Sequence, residues 1–164
     1  MLPSGKRGGQ LAEIVVIYDS VFGNTAKISE AIGEATGAQV LSVTDATEAD
    51  LEGLNVLFVG SPTRGFRPTP AIMSFLNGLE PDALSGVKGA AFDTRFPVDK
   101  AGSGFLRFMI RLFGYADAKI AKAMQKAGAT MALENEGFGV TGSEGPLIEG
   151  ELERAQDWAR QILA

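Results

Sequence analysis

The stretch IVVIYDSVFGNT, residues 14–25, decides the fold of this chain. Its first four residues are all β-branched, which predicts a strand that is buried on both faces, as in a parallel sheet. Small polar residues follow, and Gly23 allows the backbone to approach a ligand closely. Residues 25–35 then repeat apolar side chains at helical spacing. The stretch therefore predicts a strand, a tight polar turn and a helix.

The turn at residues 20–25 can be interpreted in two ways. Backbone N–H groups at the start of a helix, together with the helix dipole, can hold a phosphate group without a lysine. Alternatively, Ser20, Asn24 and Thr25 only cap the helix, as such residues commonly do. No Gly-Lys-Ser/Thr follows, and the glycine spacing of a dinucleotide-binding turn is absent. The chain therefore has neither of those two phosphate-binding motifs.

Further buried strands and amphipathic helices alternate along the rest of the chain. Such alternation predicts an α/β domain in which helices cover both faces of a parallel sheet. We predict five strands, the last of them broken near Asn135, at residues 14–17, 38–43, 54–59, 87–92 and 129–133 with 137–140. We predict helices at residues 25–35, from residue 69, at 103–127 and at 149–163, and a short helix or turn within 44–53.

The loops at one edge of this sheet are the expected ligand site. In parallel sheets of this kind, ligands bind beyond the carboxyl ends of the strands, at the point where the strand order reverses. This rule brings together the loops after the first, third and fourth strands, which are residues 20–25, 61–67 and 93–96.

The first of these loops, Ser20-Val21-Phe22-Gly23-Asn24-Thr25, resembles the FMN phosphate loop of the flavodoxin family, whose pattern is Ser/Thr-x-Thr-Gly-x-Thr. Phe22 stands where that pattern has a hydroxyl, so one phosphate hydrogen bond would come from the backbone or from water. The order of the three loops also matches, and the resemblance covers nearly the whole chain from residue 14 onward. It implies a flavodoxin-like three-layer α/β sandwich, with a five-stranded parallel sheet of order 2-1-3-4-5, and a bound FMN.

The resemblance also implies which residues border the FMN. They are Ser20, Val21, Phe22, Gly23, Asn24 and Thr25 in the first loop, Ser61, Pro62, Thr63, Arg64, Gly65 and Phe66 in the second, and Asp93, Thr94, Arg95 and Phe96 in the third. Gly65 would let its peptide turn a carbonyl toward N5 of the reduced flavin, unless Pro62 and Gly65 only set the turns of their loop. Phe66 or Phe96 would stack on the flavin ring, unless they belong to the core. Trp158, in the last helix, is expected to pack in the core.

Arginines in two of the loops depart from the flavodoxin pattern, which surrounds the flavin with acidic residues. Arg64, Arg67 and Arg95 all lie in these loops, although the chain is acidic overall. A guanidinium near the flavin would favour the reduced anion and raise the potential, or would receive an anionic substrate. The alternative is that these charges are simply solvated.

A second departure is the segment GFLRFMIRLFGY, residues 104–115, which is apolar almost all round. It is too short to span a membrane, and we predict no transmembrane segment. Deep burial would account for it, but a helix that flanks a sheet has an outer side. The segment therefore predicts a homodimer interface, a docking surface for a partner, or interfacial contact with a membrane.

The composition restricts the chemistry that the chain can perform. Its 164 residues, 45% of them hydrophobic, fit one domain at residues 13–164 after a disordered tail at 1–12. A net charge of −5 argues against nucleic acid as a partner. The chain has no cysteine and no histidine, which excludes disulfides, thiol chemistry, Ser-His-Asp catalysis and histidine metal sites. Redox chemistry would therefore come from a cofactor, and the lack of cysteine is consistent with a cytoplasmic protein.

We therefore expect an FMN-binding, flavodoxin-like electron-transfer protein that serves redox partner proteins. The alternative on the same fold is an FMN-dependent NAD(P)H or quinone oxidoreductase. The third hypothesis is a receiver or nucleotide-binding module of the same topology. A receiver is disfavoured, because the third strand runs into Gly60-Ser61 and not into a phosphorylatable aspartate.

Overall fold

A parallel β-sheet runs through the centre of the computed structural model, which describes residues 13–97 and 102–164. The strands follow one another in space in the order β2-β1-β3-β4-β5, and β6 continues beside β4. Their bounds are β1 (Ile14–Tyr18), β2 (Gln39–Ser42), β3 (Val56–Pro62), β4 (Lys88–Arg95), β5 (Thr130–Met131) and β6 (Glu136–Gly139). The predicted order is confirmed, and so is the break in the last strand, because β5 pairs with the start of β4 and β6 with its end.

Helices cover both faces of the sheet, as predicted for a three-layer sandwich. They are α1 (Asn24–Thr36), α2 (Pro70–Asn77), α3 (Gly104–Phe113), α4 (Ala116–Lys126) and α5 (Glu151–Arg160), with short 3₁₀ turns at Glu48–Leu51 and Gln161–Leu163. Helices α1 and α5 pack together on one face, and α2 and α4 pack together on the other. The parallel strands all point their carboxyl ends at the same edge of the sheet, where α1 and α4 begin.

Alternation along β1 explains why its apolar run is continuous. Ile14 and Val16 join the core beneath α1 and α5, whereas Val15 and Ile17 join the core beneath α2 and α4. Trp158 lies in the first of these cores, as predicted, with its ring 5.6 to 6.1 Å from three phenylalanine rings, those of Phe58, Phe92 and Phe138. Its indole N–H donates to the carbonyl of Glu134. Both faces of the sheet are thus fully packed.

The prediction of one long helix over residues 103–127 is wrong. The chain forms two helices instead, because Gly114 adopts φ 75° and ψ −159°, a conformation that ends α3, and Tyr115 is extended. Such a positive φ is readily available only to glycine. Helix α4 then packs on the sheet, whereas Ile110 is the single buried residue of α3.

The predicted disordered tail at residues 1–12 lies outside the described residues. Within residues 13–97 and 102–164, no helix combines the length and the apolar character that a membrane crossing requires.

Candidate functional site

A cleft of about 340 Å³ opens at the carboxyl ends of β1, β3 and β4. Residues from all three predicted loops meet there, together with two residues from the segment after β6. Those that line it are Ser20, Val21, Phe22, Asn24, Thr25, Pro62, Thr63, Arg64, Gly65, Thr94, Arg95, Phe96, Val140 and Ser143. The edge of the sheet that was expected to bind a ligand therefore does form a cavity.

Four of the predicted residues do not line the cleft, and each has a structural role. Gly23 precedes α1 with φ 93°. Ser61 is fully buried, and its hydroxyl accepts from the N–H of Thr69 at 2.9 Å. Phe66 packs against the ring of Phe113 in α3, 5.6 Å away, and Asp93 is buried in an ion pair described below. Of the two phenylalanines proposed to stack on a ring, Phe96 is the one that lines the cleft.

The first loop leaves backbone donors without partners at the start of α1. Ser20 does cap this helix, since its hydroxyl accepts from the N–H groups of Gly23 at 3.1 Å and Ala26 at 3.3 Å. The N–H groups of Asn24 and Thr25 have no acceptor among the described residues. They lie at the positive end of the helix dipole, beside the cleft.

The start of α4, at the same edge of the sheet, is satisfied by the protein itself. The N–H of Ala116 donates to the Thr63 hydroxyl, and that of Asp117 donates to the Asp93 carboxylate, both at 2.9 Å. Of these two helix starts, α1 is therefore the one with donors available to a ligand.

A buried pair of hydroxyls lies at the floor of the cleft. The Oγ1 atoms of Thr25 and Thr94 are 2.8 Å apart, and the two residues are only 1% and 4% exposed. One hydroxyl donates to the other, so one of the two protons remains without an acceptor among the described residues. A buried donor without a partner is costly, and a ligand oxygen in the cleft would satisfy it.

The second loop is a tight hairpin. Arg64 and Arg67 exchange two backbone hydrogen bonds of 2.8 and 3.0 Å, and the two residues between them have positive φ, 54° at Gly65 and 68° at Phe66. Positive φ at both central positions is typical of a two-residue hairpin turn. The hairpin fixes Gly65 at the wall of the cleft and directs the side chain of Phe66 away, toward α3.

Arg95 lines the cleft, but its charge is compensated. Its guanidinium forms two hydrogen bonds with Asp93, at 2.7 and 2.8 Å, and an ion pair of 3.1 Å with Asp117. It also lies over the ring of Tyr115, 3.7 Å from its centre, and directly against the Cα of Gly137, where no side chain would fit. Arg95 is therefore a fixed part of the wall.

Burial dominates the titration of the Asp93 carboxyl. It raises the pKa of Asp93 from 3.8 to about 6, although Arg95 and the N–H of Asp117 act to lower it. Burial also opposes the charge of Arg95, but the hydrogen bonds and charges of its carboxylate partners outweigh this effect and raise the pKa of the guanidinium. A carboxyl with a pKa of about 6 is mostly ionised at neutral pH, so Asp93 largely compensates the charge of Arg95.

Arg64 is the other arginine of the cleft, and its situation is different. Its side chain is exposed, has no ion pair among the described residues, and lies over the ring of Phe22 at 5.5 Å. Phe22 belongs to the first loop, so Arg64 bridges the first and second loops at the mouth of the cleft.

Two lining residues, Val140 and Ser143, are missing from the predicted set. They follow β6, and the amide of Asn24 holds their segment in place by donating to the carbonyl of Glu144 at 3.1 Å. The run Gly142-Ser143-Glu144-Gly145-Pro146 after the last strand was the signal that could have identified them, since turn residues at this edge of the sheet are candidates by the same rule. In the described residues, no cluster of three or more acidic groups could hold a metal ion.

Comparison with solved structures identifies the fold. Flavodoxin 2 from Bacillus cereus superposes with a TM-score of 0.71 at 19% identity, over 93% of this chain and 98% of that one. An archaeal flavodoxin gives a TM-score of 0.66 at 22% identity, over 93% and 99%. A flavodoxin, WrbA-like protein from Agrobacterium tumefaciens gives 0.67 at 16% identity, over 93% and 95%. No protein-family model and no curated protein matches the sequence. The chain has the flavodoxin-like fold.

Proposed function

We propose that this chain binds FMN in the cleft and carries electrons between other redox proteins. The observation that carries the proposal is the set of unsatisfied donors at the floor of the cleft. The N–H groups of Asn24 and Thr25 and one proton of the Thr25–Thr94 pair belong to residues that line the cleft, and they have no acceptors among the described residues. Flavodoxins among the structural neighbours support the choice of FMN.

The residues of the cleft fit both halves of FMN. The donors around Thr25 suit a phosphate monoester, which offers only acceptors at neutral pH. Pro62, Phe96 and Val140 supply apolar wall for a flat aromatic ring. The cleft volume of about 340 Å³ falls within the usual range of small-ligand sites.

Bound FMN would supply one-electron and two-electron redox chemistry, which no side chain of this cysteine-free chain provides. The chain itself holds the phosphate through the start of α1 and shields the ring with Pro62 and Phe96. Gly65 lies at the cleft wall in an exposed hairpin, where its peptide is free of strand pairing. The paired Arg95 contributes little net charge, so Arg64 is the cation of the cleft lining that acts on the reduced flavin.

Redox partners would approach the mouth of the cleft. Arg64 and Arg67 are exposed on the hairpin beside this mouth. Arg111 is exposed on the adjoining α3, which contacts the hairpin through Phe66 and Phe113. Helix α3 also exposes large apolar side chains, including Phe105 at 72% and Leu112 at 61%. Apolar surface flanked by arginine fits a redox protein whose docking face has an apolar centre and an acidic rim.

The second candidate function is an FMN-dependent NAD(P)H or quinone oxidoreductase. The observation that favours it is the apolar mouth of the cleft, where Val21 and Phe22 are each nearly half exposed. A small apolar acceptor could reach the flavin over these side chains. The two candidates differ in one measurement, since a reductase loaded with FMN oxidises NAD(P)H in the presence of a quinone and a carrier does not.

Titration of the FMN-free protein with FMN, followed by flavin fluorescence, tests the binding site. We expect the double variant Thr25→Val/Thr94→Val, which removes both hydroxyls and with them the unpaired proton at nearly constant volume, to weaken FMN binding by about tenfold, the effect of one hydrogen bond to a charged group. Ser29→Ala is the matched control, because Ser29 is a buried hydroxyl of α1 that bonds only the carbonyl of Thr25 and does not line the cleft. A wild-type protein that binds no FMN, or equal loss in both variants, would contradict the proposal.

A further inference from the structure

The two arginines that line the cleft differ in whether carboxylates compensate their charge. Arg95 is held by Asp93 and Asp117, whereas Arg64 has no carboxylate partner among the described residues. A solvent-exposed guanidinium at the edge of a cavity keeps five donors and a full charge for a ligand. Among the described residues, the cleft lining therefore presents one uncompensated positive charge, and it comes from the second loop.

The position of Arg64 places this charge near the first loop. Its guanidinium carbon lies 5.5 Å from the ring centre of Phe22, which belongs to the same turn as Asn24 and Thr25. A contact of this length at an exposed site is weak, so the long side chain can leave the ring at little cost. Arg64 therefore lies on the side of the cleft where the unsatisfied backbone donors are.

The middle of the first loop has no polar side chain. Between Ser20, which is used as a cap, and Gly23, the turn carries only Val21 and Phe22, whose side chains are 48% and 47% exposed and offer no hydrogen bond. A phosphate monoester held at the start of α1 would thus have donors on its inner side and none from these two side chains on its outer side. A guanidinium is well suited to that outer side, because it pairs with two phosphate oxygens at once.

We propose that Arg64 closes over the first loop and pairs with the phosphate of the bound flavin, which makes the cleft selective for FMN over riboflavin. This inference rests on the proposed function. A charge that acted only on the flavin ring would affect both ligands alike, because both contain the ring. A pair with the phosphate affects FMN alone.

Flavin titrations of two arginine variants test the inference. Arg64→Gln removes the charge at the cleft, and Arg67→Gln is the matched control, because it removes the same charge from the same hairpin outside the cleft lining. We expect Arg64→Gln to weaken FMN binding by about 10- to 100-fold, as for a lost charge-assisted pair, and to leave riboflavin binding unchanged. We expect Arg67→Gln to bind both flavins like the wild type. Inorganic phosphate should compete with FMN in the wild type and compete less well in Arg64→Gln.

Three outcomes would overturn the inference while the proposed function stands. An equal loss of affinity for FMN and for riboflavin in Arg64→Gln would show that Arg64 contacts the flavin ring. Unchanged FMN affinity in that variant would show that the phosphate is bound without Arg64, by backbone N–H groups alone. Equal effects of Arg64→Gln and Arg67→Gln would show that both arginines act on FMN binding through long-range electrostatics and not through a direct pair with the phosphate. Failure of the wild type to bind either flavin would instead overturn the proposed function itself.

Discussion

Single residues decide how charge is distributed around the cleft, and Asp93 is the most consequential of them. Its carboxylate is fully buried, holds Arg95 with two hydrogen bonds and accepts the N–H of Asp117 at the start of α4. It thus fixes the wall of the cleft and removes one arginine from the charges that a ligand meets. Its protonation state therefore matters for the stability of this corner of the fold.

The raised pKa of Asp93 predicts how this residue contributes to stability at different pH values. Between pH 3.8 and about 6 the unfolded chain has lost this proton and the folded chain keeps it. The contribution of Asp93 to the free energy of unfolding is therefore greatest below pH 3.8 and is lost as the pH rises through 6. The total change is about 3 kcal/mol, at about 1.4 kcal/mol for each pH unit.

Urea unfolding of the wild type and of Asp93→Asn, compared at pH 4, 5, 6 and 7, measures this contribution. We expect the free energy of unfolding of the wild type to fall relative to that of the variant as the pH rises from 4 to 6, and the difference to level off above 6. A difference that stays constant, or rises only slightly in favour of the wild type, over this range would show that Arg95 outweighs burial and keeps the pKa of Asp93 low.

At the scale of elements, Gly114 separates two helices that the sequence pattern joins. Its φ of 75° is strained for any residue with a side chain, and no neighbouring atom would obstruct a Cβ there. We expect Gly114→Ala to lower the free energy of unfolding by about 1 to 2 kcal/mol, from backbone strain alone. Gly104→Ala, at the first position of α3 where φ is not positive and space is open, should have no such effect. Urea unfolding of both variants distinguishes strain at Gly114 from a general effect of adding a methyl group.

The secondary-structure elements show how much of the fold could be predicted from the sequence. The sheet order was an implication of the resemblance to the flavodoxin family. The buried run of β1, the turn at residues 20–25 and the alternation of strands with helices predicted a parallel sheet and the edge where the cleft lies. Those inferences depend on local spacing and on a general rule of parallel sheets. The break at Gly114 was missed because apolar spacing continues on both sides of it, and only the backbone conformation reveals the turn.

The neighbours of individual side chains were beyond the sequence, because they depend on contacts between distant segments. Arg95 was predicted either to act on the flavin or an anionic substrate or to be solvated, and nothing in the run Asp93-Thr94-Arg95 shows that Asp117 and Tyr115 surround it. Ser143 reaches the cleft through the hydrogen bond between Asn24 and Glu144, which are 120 positions apart. Such long-range contacts are set by packing and leave no local pattern.

At the scale of the whole molecule, charge is distributed unevenly. The chain has a net charge of −5, yet Arg64 and Arg67 are exposed on the hairpin beside the cleft. Interactions between exposed charges decay within about 10 Å in ordinary buffers, so a charged molecule at the cleft responds to these arginines more than to the net charge. The arginines beside the cleft therefore predict a fast reaction with an anionic oxidant, whereas the net negative charge predicts a slow one.

Reoxidation of the FMN-loaded, reduced protein by ferricyanide, a trivalent anion, tests which of them dominates. Arg67→Glu and Lys126→Glu make the same change in net charge, but Arg67 adjoins the cleft, whereas Lys126 ends α4 at the opposite edge of the sheet. We expect Arg67→Glu to slow the reaction by about three- to tenfold at about 0.1 M ionic strength, because the added repulsion acts at the site of transfer. Lys126→Glu should change the rate by less than about twofold, and salt should remove the difference between the variants. Equal slowing in both variants would mean that net charge governs the encounter, and that the arginines beside the cleft do not select an acidic partner.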